Sequence, residues 1–295
     1  MDRFLNALAS GVISGSLYAI MALGLSIIYG VSRVFNFAHG VVALIGGYLT
    51  WMFLTRLGLG LFPSMVLALL ILFLAGWLLY HATIRGLLRK PNWEFSTVLF
   101  LLGLGILLEN VLLQVFGPRV KAIPPFVPFD PTTGLGTLRV GPVITTWHDV
   151  LLVLVVVAAV LGLNAFLKWS WTGQAMRAVA ASIPGALAVG IDIQRVFALT
   201  FALAFLTTGF SGVLLGTKYY MTPHVGWEWM VKGFVIVTFG GLGSTTGAIY
   251  AAAILGIVEG LVSLYLAPIW VWPIWFGIFL IVLLLRPQGI AGGRL

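Results

Sequence analysis

Nine apolar runs organise this chain: Ala7 to Tyr29, Gly40 to Thr55, Phe62 to Ile84, Phe95 to Gly117, Val150 to Leu167, Val196 to Gly216, Gly233 to Gly241, Ala248 to Leu266 and Pro273 to Leu285. A helix that crosses the hydrocarbon core of a bilayer needs about 20 predominantly apolar residues, and most of these runs approach or pass that length. The seventh does so only if Trp227 to Lys232 extends it. Between the runs nothing is polar enough to fold in water, because 8% of the 295 residues are charged, where a soluble domain carries roughly 25%. With 61% hydrophobic residues, a water-soluble globule is excluded. The expected fold is an all-α polytopic transmembrane helix bundle of about eight to nine spans, with residues 1–295 forming a single membrane domain.

Sixteen Lys and Arg against eight Asp and Glu give a formal charge of +8. The cations lie singly or in threes at the borders of the runs, with no basic face and no stripe interleaved with aromatics, so nucleic acid is not an expected partner. Arg85, Arg89 and Lys90 share one short loop, which the positive-inside rule places in the cytoplasm. Counting nine spans from that loop puts the N-terminus outside and the C-terminus inside. Arg33, Arg85, Arg89, Lys90, Lys168, Arg177, Arg195, Arg286 and Arg294 then fall inside, and the remaining Lys and Arg, Lys232 included, fall outside. The absence of cysteine removes disulfides, thiolate catalysis and Cys-based zinc sites. The start, Met1-Asp2-Arg3-Phe4, runs into an apolar segment without a small-residue cleavage signature and reads as a retained first span.

Two loops exceed the length of a connector. Residues 118–149 contain Pro118, Pro124, Pro125, Pro128, Pro131 and Pro142, which favours extended or turn backbone on the external surface. The 168–195 loop, on the opposite side, is small and weakly polar. Thr172 is placed to cap a short helix through Ala181, Ser182 to cap a second with Pro184 in its first turn, Gly190 to end it, and Asp192 to cap the sixth span. Two short helices with an Ala-rich surface at the membrane edge suit a partner protein, since exposed apolar patches mark contact sites. Folding back on the bundle or lying in the headgroup layer remains the other reading.

The run Gly173-Gln-Ala-Met-Arg-Ala-Val-Ala through Ala188-Val-Gly-Ile-Asp192, then Arg195-Val-Phe-Ala-Leu-Thr-Phe and Gly212-Val-Leu-Leu-Gly216, resembles the coupling region of LIV-type branched-chain amino-acid permeases. Further matches are Tyr18 to Gly24, Tyr29 to Gly40, Gly240-Gly-Leu-Gly-Ser244-Thr-Thr-Gly247-Ala and Arg286-Pro-Gln-Gly289. One departure is Ala181-Ser182-Ile183-Pro184, where such permeases more often carry an acidic or amide residue. The resemblance implies the membrane subunit of a bacterial ABC importer in the inner membrane. It also implies a second permease subunit, identical or related, two ATP-binding cassette subunits and an external solute-binding protein. Arg177, Ala178, Ala181, Pro184, Gly185 and Gly190 are the implied ATPase-coupling residues. Branched-chain amino acids are the implied cargo, with urea, short amides or aromatic acids as alternatives.

Other constellations are weighed on their own chemistry. The phosphate-cradling G-x-x-x-x-G-K-[ST] loop is absent, because no Gly-Lys pair occurs. ATP and Mg therefore belong to partner subunits, and no cofactor or metal is expected on this chain. Asn36-Phe37-Ala38-His39-Gly40 interrupts the apolar pattern, either as a pore or gate element or as an ordinary turn with Asn36 as cap. Gly240, Gly241, Gly243 and Ser244 read either as a helix break with N–H groups facing a carboxylate or as a plain turn. Gly11 with Gly15 and Gly243 with Gly247 have the spacing of helix-contact glycines. Glu109, beside Asn110, and Glu259 are the acids assigned to span interiors, where a charge costs at least ~2.5 kcal/mol unless it pairs or faces a cavity; a proton-coupled secondary transporter is the competing class. Gly209-Phe210-Ser211-Gly212 matches the G-x-S-G of intramembrane serine proteases, but no His is expected within reach of Ser211 on a neighbouring span, so no catalytic residue is assigned.

Overall fold

The computed structural model describes residues 2–130 and 134–291; Pro131 and Arg294 lie outside the described residues. The elements in order are α1 (Asp2–Ser32), α2 (His39–Arg56), α3 (Leu61–Leu79), a π-helical turn (Tyr80–Ile84), α4 (Arg85–Leu87), α5 (Trp93–Phe116), β1 (Thr137–Val140) and β2 (Val143–Thr146). They continue with α6 (Trp147–Trp169), α7 (Trp171–Ala181), α8 (Ile183–Ala188), α9 (Ile193–Lys218), α10 (Val225–Gly240), α11 (Thr245–Tyr265), a 3-10 turn (Pro268–Trp270) and α12 (Val271–Leu285).

Seven helical segments are long and apolar enough to cross a membrane: α1, Leu61–Leu87, α5, α6, α9, α11 and Pro268–Leu285. The protein is therefore a multi-pass membrane protein. Two of the nine expected spans, α2 and α10, have 18 and 16 residues, or about 27 and 24 Å at 1.5 Å per residue, short of a ~30 Å hydrocarbon core. Helix α10 does take in Trp227 to Lys232, the extension that the seventh run required.

Helix ends sort onto two faces. On one, Gly243 meets Gly30, Ile290 and Ala291 donate to the carbonyls of Phe239 and Gly240, and Lys168 and Arg177 share a groove with Gly243. On the other, Asn6 bonds Pro142 and Ile144 at 2.8 Å each, Lys121 pairs with Met221, and Lys218 pairs with Asp149 across the start of α6. These groupings are those of strict alternation over nine passes. The described residues of the 118–146 segment hold no helix; they form turns, isolated bridges and an antiparallel β1–β2 hairpin turned at Gly141-Pro142, in keeping with its prolines. The predicted loop ends at 146, because Trp147 to Asp149 open α6.

Two of the assignments to spans and sides change. Lys232 leaves the external set: it lies within α10 and is 8% exposed. Glu109 and Glu259 are not alone among acids in helices, since Glu228 falls in α10 and Glu94 and Asp149 lie in the first turns of α5 and α6.

Burial divides the bundle into posts and wall. The membrane-length windows of α1 and α9 are 83% and 78% buried, against 17% for α5 and α6 and 11% for the last span. Lipid-facing residues such as Leu70, Leu74, Leu99, Leu154 and Leu280 are apolar and exposed, the inverse of a water-soluble protein. The posts are held by small residues. A Cβ on Gly11 would stand 2.7 Å from the Gly256 carbonyl oxygen, and one on Gly15 would stand 2.8 Å from that of Ala252. Gly256 and Gly260 thus form a second G-x-x-x-G stripe, complementary to the first. Gly243 with Gly247 is different: Gly243 sits in a turn against Gly30 of α1, and Gly247, in α11, packs against Gly240.

Overpacking a close contact costs typically ~1–3 kcal/mol. Gly256→Val should therefore lower the melting temperature of the detergent-purified protein by several degrees. Gly277→Val should leave it unchanged, because a Cβ there meets open space. Fluorescence-detected thermal unfolding checks both.

Candidate translocation site

Six residues separate α1 from α2, and they do not form a surface turn. Arg33 takes a left-handed conformation at φ 59°, after which the chain runs back into the bundle. His39, the first residue of α2, is fully buried and its Nε2 lies 2.9 Å from the carbonyl oxygen of Met21. Met21 is eleven residues short of the end of α1, so the non-helical segment climbs about 16 Å at 1.5 Å per residue before α2 begins. A carbonyl only accepts, so Nε2 carries the proton, and Thr208 of α9 bonds the opposite ring nitrogen at 3.2 Å.

The break is satisfied from within. Asn36 Oδ1 accepts from the Ala38 N–H at 3.1 Å, and the His39 N–H donates to the Asn36 carbonyl at 3.2 Å. Asn36 therefore makes a turn of its own and does not cap α2, whose N-cap position, Ala38, provides no side-chain cap. Its amide Nδ2 is buried without a hydrogen-bond partner. Gly40 lies so close to the Gly226 carbonyl and Met230 that no side chain fits. Phe35 and Phe37 flank the break with rings 6.1 and 6.3 Å from Phe234. Helix α5 lies over it at Gly105, where a Cβ would meet Ala38 and the Phe37 carbonyl. Backbone of this kind is tolerated at membrane depth only inside protein or along a cavity.

Glu109, a turn beyond Gly105 on α5, accepts from His224 Nδ1 at 2.5 Å and from the Trp227 indole N–H. These partners sit at the start of α10, so the acid fastens α5 to α10 near the break. Asn110 bonds back to its own helix at the Ile106 carbonyl.

Glu259 belongs to a second cluster. Tyr18 donates to its Oε1 at 3.0 Å; Lys232 Nζ lies 2.8 Å from the Tyr18 hydroxyl and 3.4 Å from the same carboxylate. The ammonium also stands 4.8 to 5.6 Å from the ring centres of Tyr18, Trp275 and Trp272. Four helices, α1, α10, α11 and α12, meet on this one cation. Sequence reasoning missed Lys232, Tyr18, His224 and Trp227. Lys232 and His224 were legible only as loop residues, because the apolar run alone placed the start of α10 too late.

At the Arg85 face, Gly240 to Ser244 forms a turn between α10 and α11. Gly241 and Gly243 have φ of 107° and 83°, and the Ser244 hydroxyl accepts from Gly247 N at 3.0 Å. The 168–195 loop forms the two expected short helices with one change of cap: Ser170, not Thr172, accepts from Gly173 N at 2.9 Å to start α7. Ser182 caps α8, Gly190 follows it at φ 81°, and Asp192 caps α9. Gly173, Met176 and Val179 bury the inner side of α7, while Ala181, Pro184 and Gly185 stay exposed with Ile183, Leu187 and Val189. Arg177 is also exposed and donates to the Lys168 carbonyl at 3.2 Å. Ser211 lies one turn from Thr208, and so closer to His39 than the runs suggested, but its hydroxyl donates to the Thr208 carbonyl at 2.6 Å and forms no Ser–His pair.

A polytopic bundle with a sealed break at mid-depth and a helical knuckle at one face has the organisation of a transporter's membrane subunit. The profile of the family described as "Branched-chain amino acid transport system / permease component" matches residues 7–285, and the chain belongs to that family. It is similar to the high-affinity branched-chain amino acid transport system permease protein LivH of Salmonella typhimurium, at 32% identity over 98% of this chain and 96% of the relative. BraD of Pseudomonas aeruginosa, a permease protein with the same description, is 30% identical over the same shares. A probable LivH of Methanocaldococcus jannaschii is 26% identical over 97% of this chain and 91% of the relative.

Removing one partner of a buried ion pair costs ~3–5 kcal/mol, and replacing both with neutral groups recovers much of it. Lys232→Met should therefore be the least stable of three variants, with Glu259→Gln intermediate and the double variant Lys232→Met/Glu259→Gln more stable than Lys232→Met. Thermal unfolding in one detergent reads the order.

Proposed function

We propose that this chain is a membrane-spanning permease subunit of an ABC importer in a bacterial inner membrane and that it passes branched-chain amino acids delivered by an external solute-binding protein. It pairs with a second permease, related or identical, and two ATPase subunits drive it. ATP and Mg bind those subunits; this chain holds no cofactor and catalyses no reaction. The observation that carries the reading is the knuckle: Ile183, Leu187 and Val189 are 42%, 59% and 75% exposed on a capped helix joined by one short turn to the buried post α9. An apolar surface of that kind marks a protein contact. Ala178, Ala181, Pro184, Gly185 and Gly190 shape this socket.

The pore face is the side of the break covered by α5: Asn36, Phe37, His39, Gly40, Glu109 and the start of α10. Specificity lies mainly with the binding protein, so pore residues need only weak contacts that let cargo leave. A proton-coupled carrier is disfavoured, because Glu109 and Glu259 are both held in close hydrogen bonds and ion pairs.

Co-purified with its companions in vesicles, the protein should show ATP hydrolysis stimulated by loaded binding protein with leucine, isoleucine or valine as cargo. Leu187→Glu with Val189→Glu should abolish transport and ATPase co-purification while the permease still inserts. Uphill uptake by this chain alone, without ATP, would sink the reading.

A further inference from the structure

Outside the pore face, α6 stands away from the posts and leaves a groove of about 920 Å³ between itself, α1, α7 and the start of α11. Its floor is apolar, with Ile27, Val31, Leu161 and Met176, and its rim carries Lys168 and Arg177. Neither cation is in an ion pair among the described residues. Ser26 lines the same groove, fully buried, with its hydroxyl lacking any hydrogen-bond partner. Asn164 lies one helical turn below Lys168 on α6, about 6 Å deeper.

From Leu161 a second groove of about 270 Å³ continues between α1, α6 and α11, lined by Val12, Ala19, Val153, Val157 and Ile249. Lys168 to Val153 spans fifteen residues of α6, about 22 Å, longer than the ~15 Å half-thickness of a hydrocarbon core. Trp169 and Trp171, 72% and 90% exposed, mark the headgroup level beside the rim, where indoles concentrate.

We infer that this groove is a binding site for an anionic phospholipid of the leaflet on the Arg85 face. The phosphate sits against Lys168 and Arg177, the ester carbonyls accept from Ser26 and Asn164 one turn deeper, and an acyl chain follows the apolar track past Leu161. The order of chemistry along the groove, Lys168 of α6 and Arg177 of α7, then the Asn164 amide and Ser26 hydroxyl, then the aliphatic face of α6, matches a phospholipid from headgroup to tail. Basic pockets between spans on the cytoplasmic side are known to take such headgroups. A soluble anion would not use the apolar track, and a peptide would leave its backbone unpaired there. The inference does not depend on the transport reading.

The test uses purified full-length protein in detergent supplemented with dioleoylphosphatidylglycerol or with dioleoylphosphatidylcholine at equal mole fraction. The anionic lipid should raise the melting temperature several degrees more than the zwitterionic one and should be enriched among lipids retained through purification. Lys168→Gln/Arg177→Gln should erase that difference, as should Ala165→Trp, which fills the groove with both cations intact. Arg85→Gln/Arg89→Gln, neutralising the same face elsewhere, should keep it. Equal shifts from the two lipids in the unsubstituted protein would overturn the site. So would persistence of the difference in either groove variant, or its loss in the Arg85/Arg89 variant, which would mark diffuse surface charge.

Discussion

Direct contact between helix backbones is the condition on which the rest of the structure depends. Lipid tails are as apolar as leucine, so burial gives no drive for one span to leave lipid and join another. Attraction must come from dispersion and short-range polar contacts, both of which fall steeply with distance. Gly11 and Gly15 against Gly256 and Gly260, and Gly46 and Ala43 against Gly209 and Gly212, let α1 meet α11 and α2 meet α9 with no side chain between them. The same wall of leucine that makes the periphery soluble in lipid would keep these helices apart if it continued onto the posts.

Close packing is also what makes the polar features possible. Lys232 is stable in α10 because α1, α11 and α12 bring Tyr18, Glu259, Trp272 and Trp275 onto it. An ammonium with those ligands removed would face hydrocarbon at a cost of several kcal/mol. The break before α2 obeys the same rule. Its free backbone groups are tolerated because Met21, Thr208, Gly105 and Gly226 surround them, which excludes lipid from the one stretch where it would be ruinous.

How much of this was legible follows from what a one-dimensional pattern encodes. Run length and charge gave the helices, their alternation and the knuckle, because those depend on local composition and caps such as Ser182 and Asp192. Depth was not encoded: Asn36 to Gly40 has the composition of a turn at either the surface or the centre, and only the bond from His39 to Met21 decides. Lys232 was misplaced for a related reason. A hydropathy window stops at a charge, and apart from Glu228 one turn away, the acid and hydroxyl that hold this one lie 27 and 214 positions away in the chain. Thr172 and Ser170 are both plausible caps two residues apart, and the choice rests on which hydroxyl faces Gly173 N.

The geometry of α9 joins the two ends of the proposed mechanism. Asp192 caps it directly after the knuckle, with bonds to Gln194 and Arg195 N–H of 3.0 and 3.2 Å, and Thr208 holds His39 sixteen residues further along. That distance is about 24 Å of uninterrupted helix, without a proline or a π-turn to absorb a displacement. A push on α8 therefore reaches mid-membrane as movement of α9 as a body. The first non-helical element it meets is the break, whose N–H and carbonyl groups have short-range partners that can be exchanged. Peripheral α5 lies over that break at Gly105 and is pinned to α10 by Glu109, so in the proposed reading the cover of the pathway goes with α10 and its floor with α9. Alternation between two openings needs two such bodies in relative motion, and the reading proposed above puts the dividing line within this chain at Asn36 to Gly40.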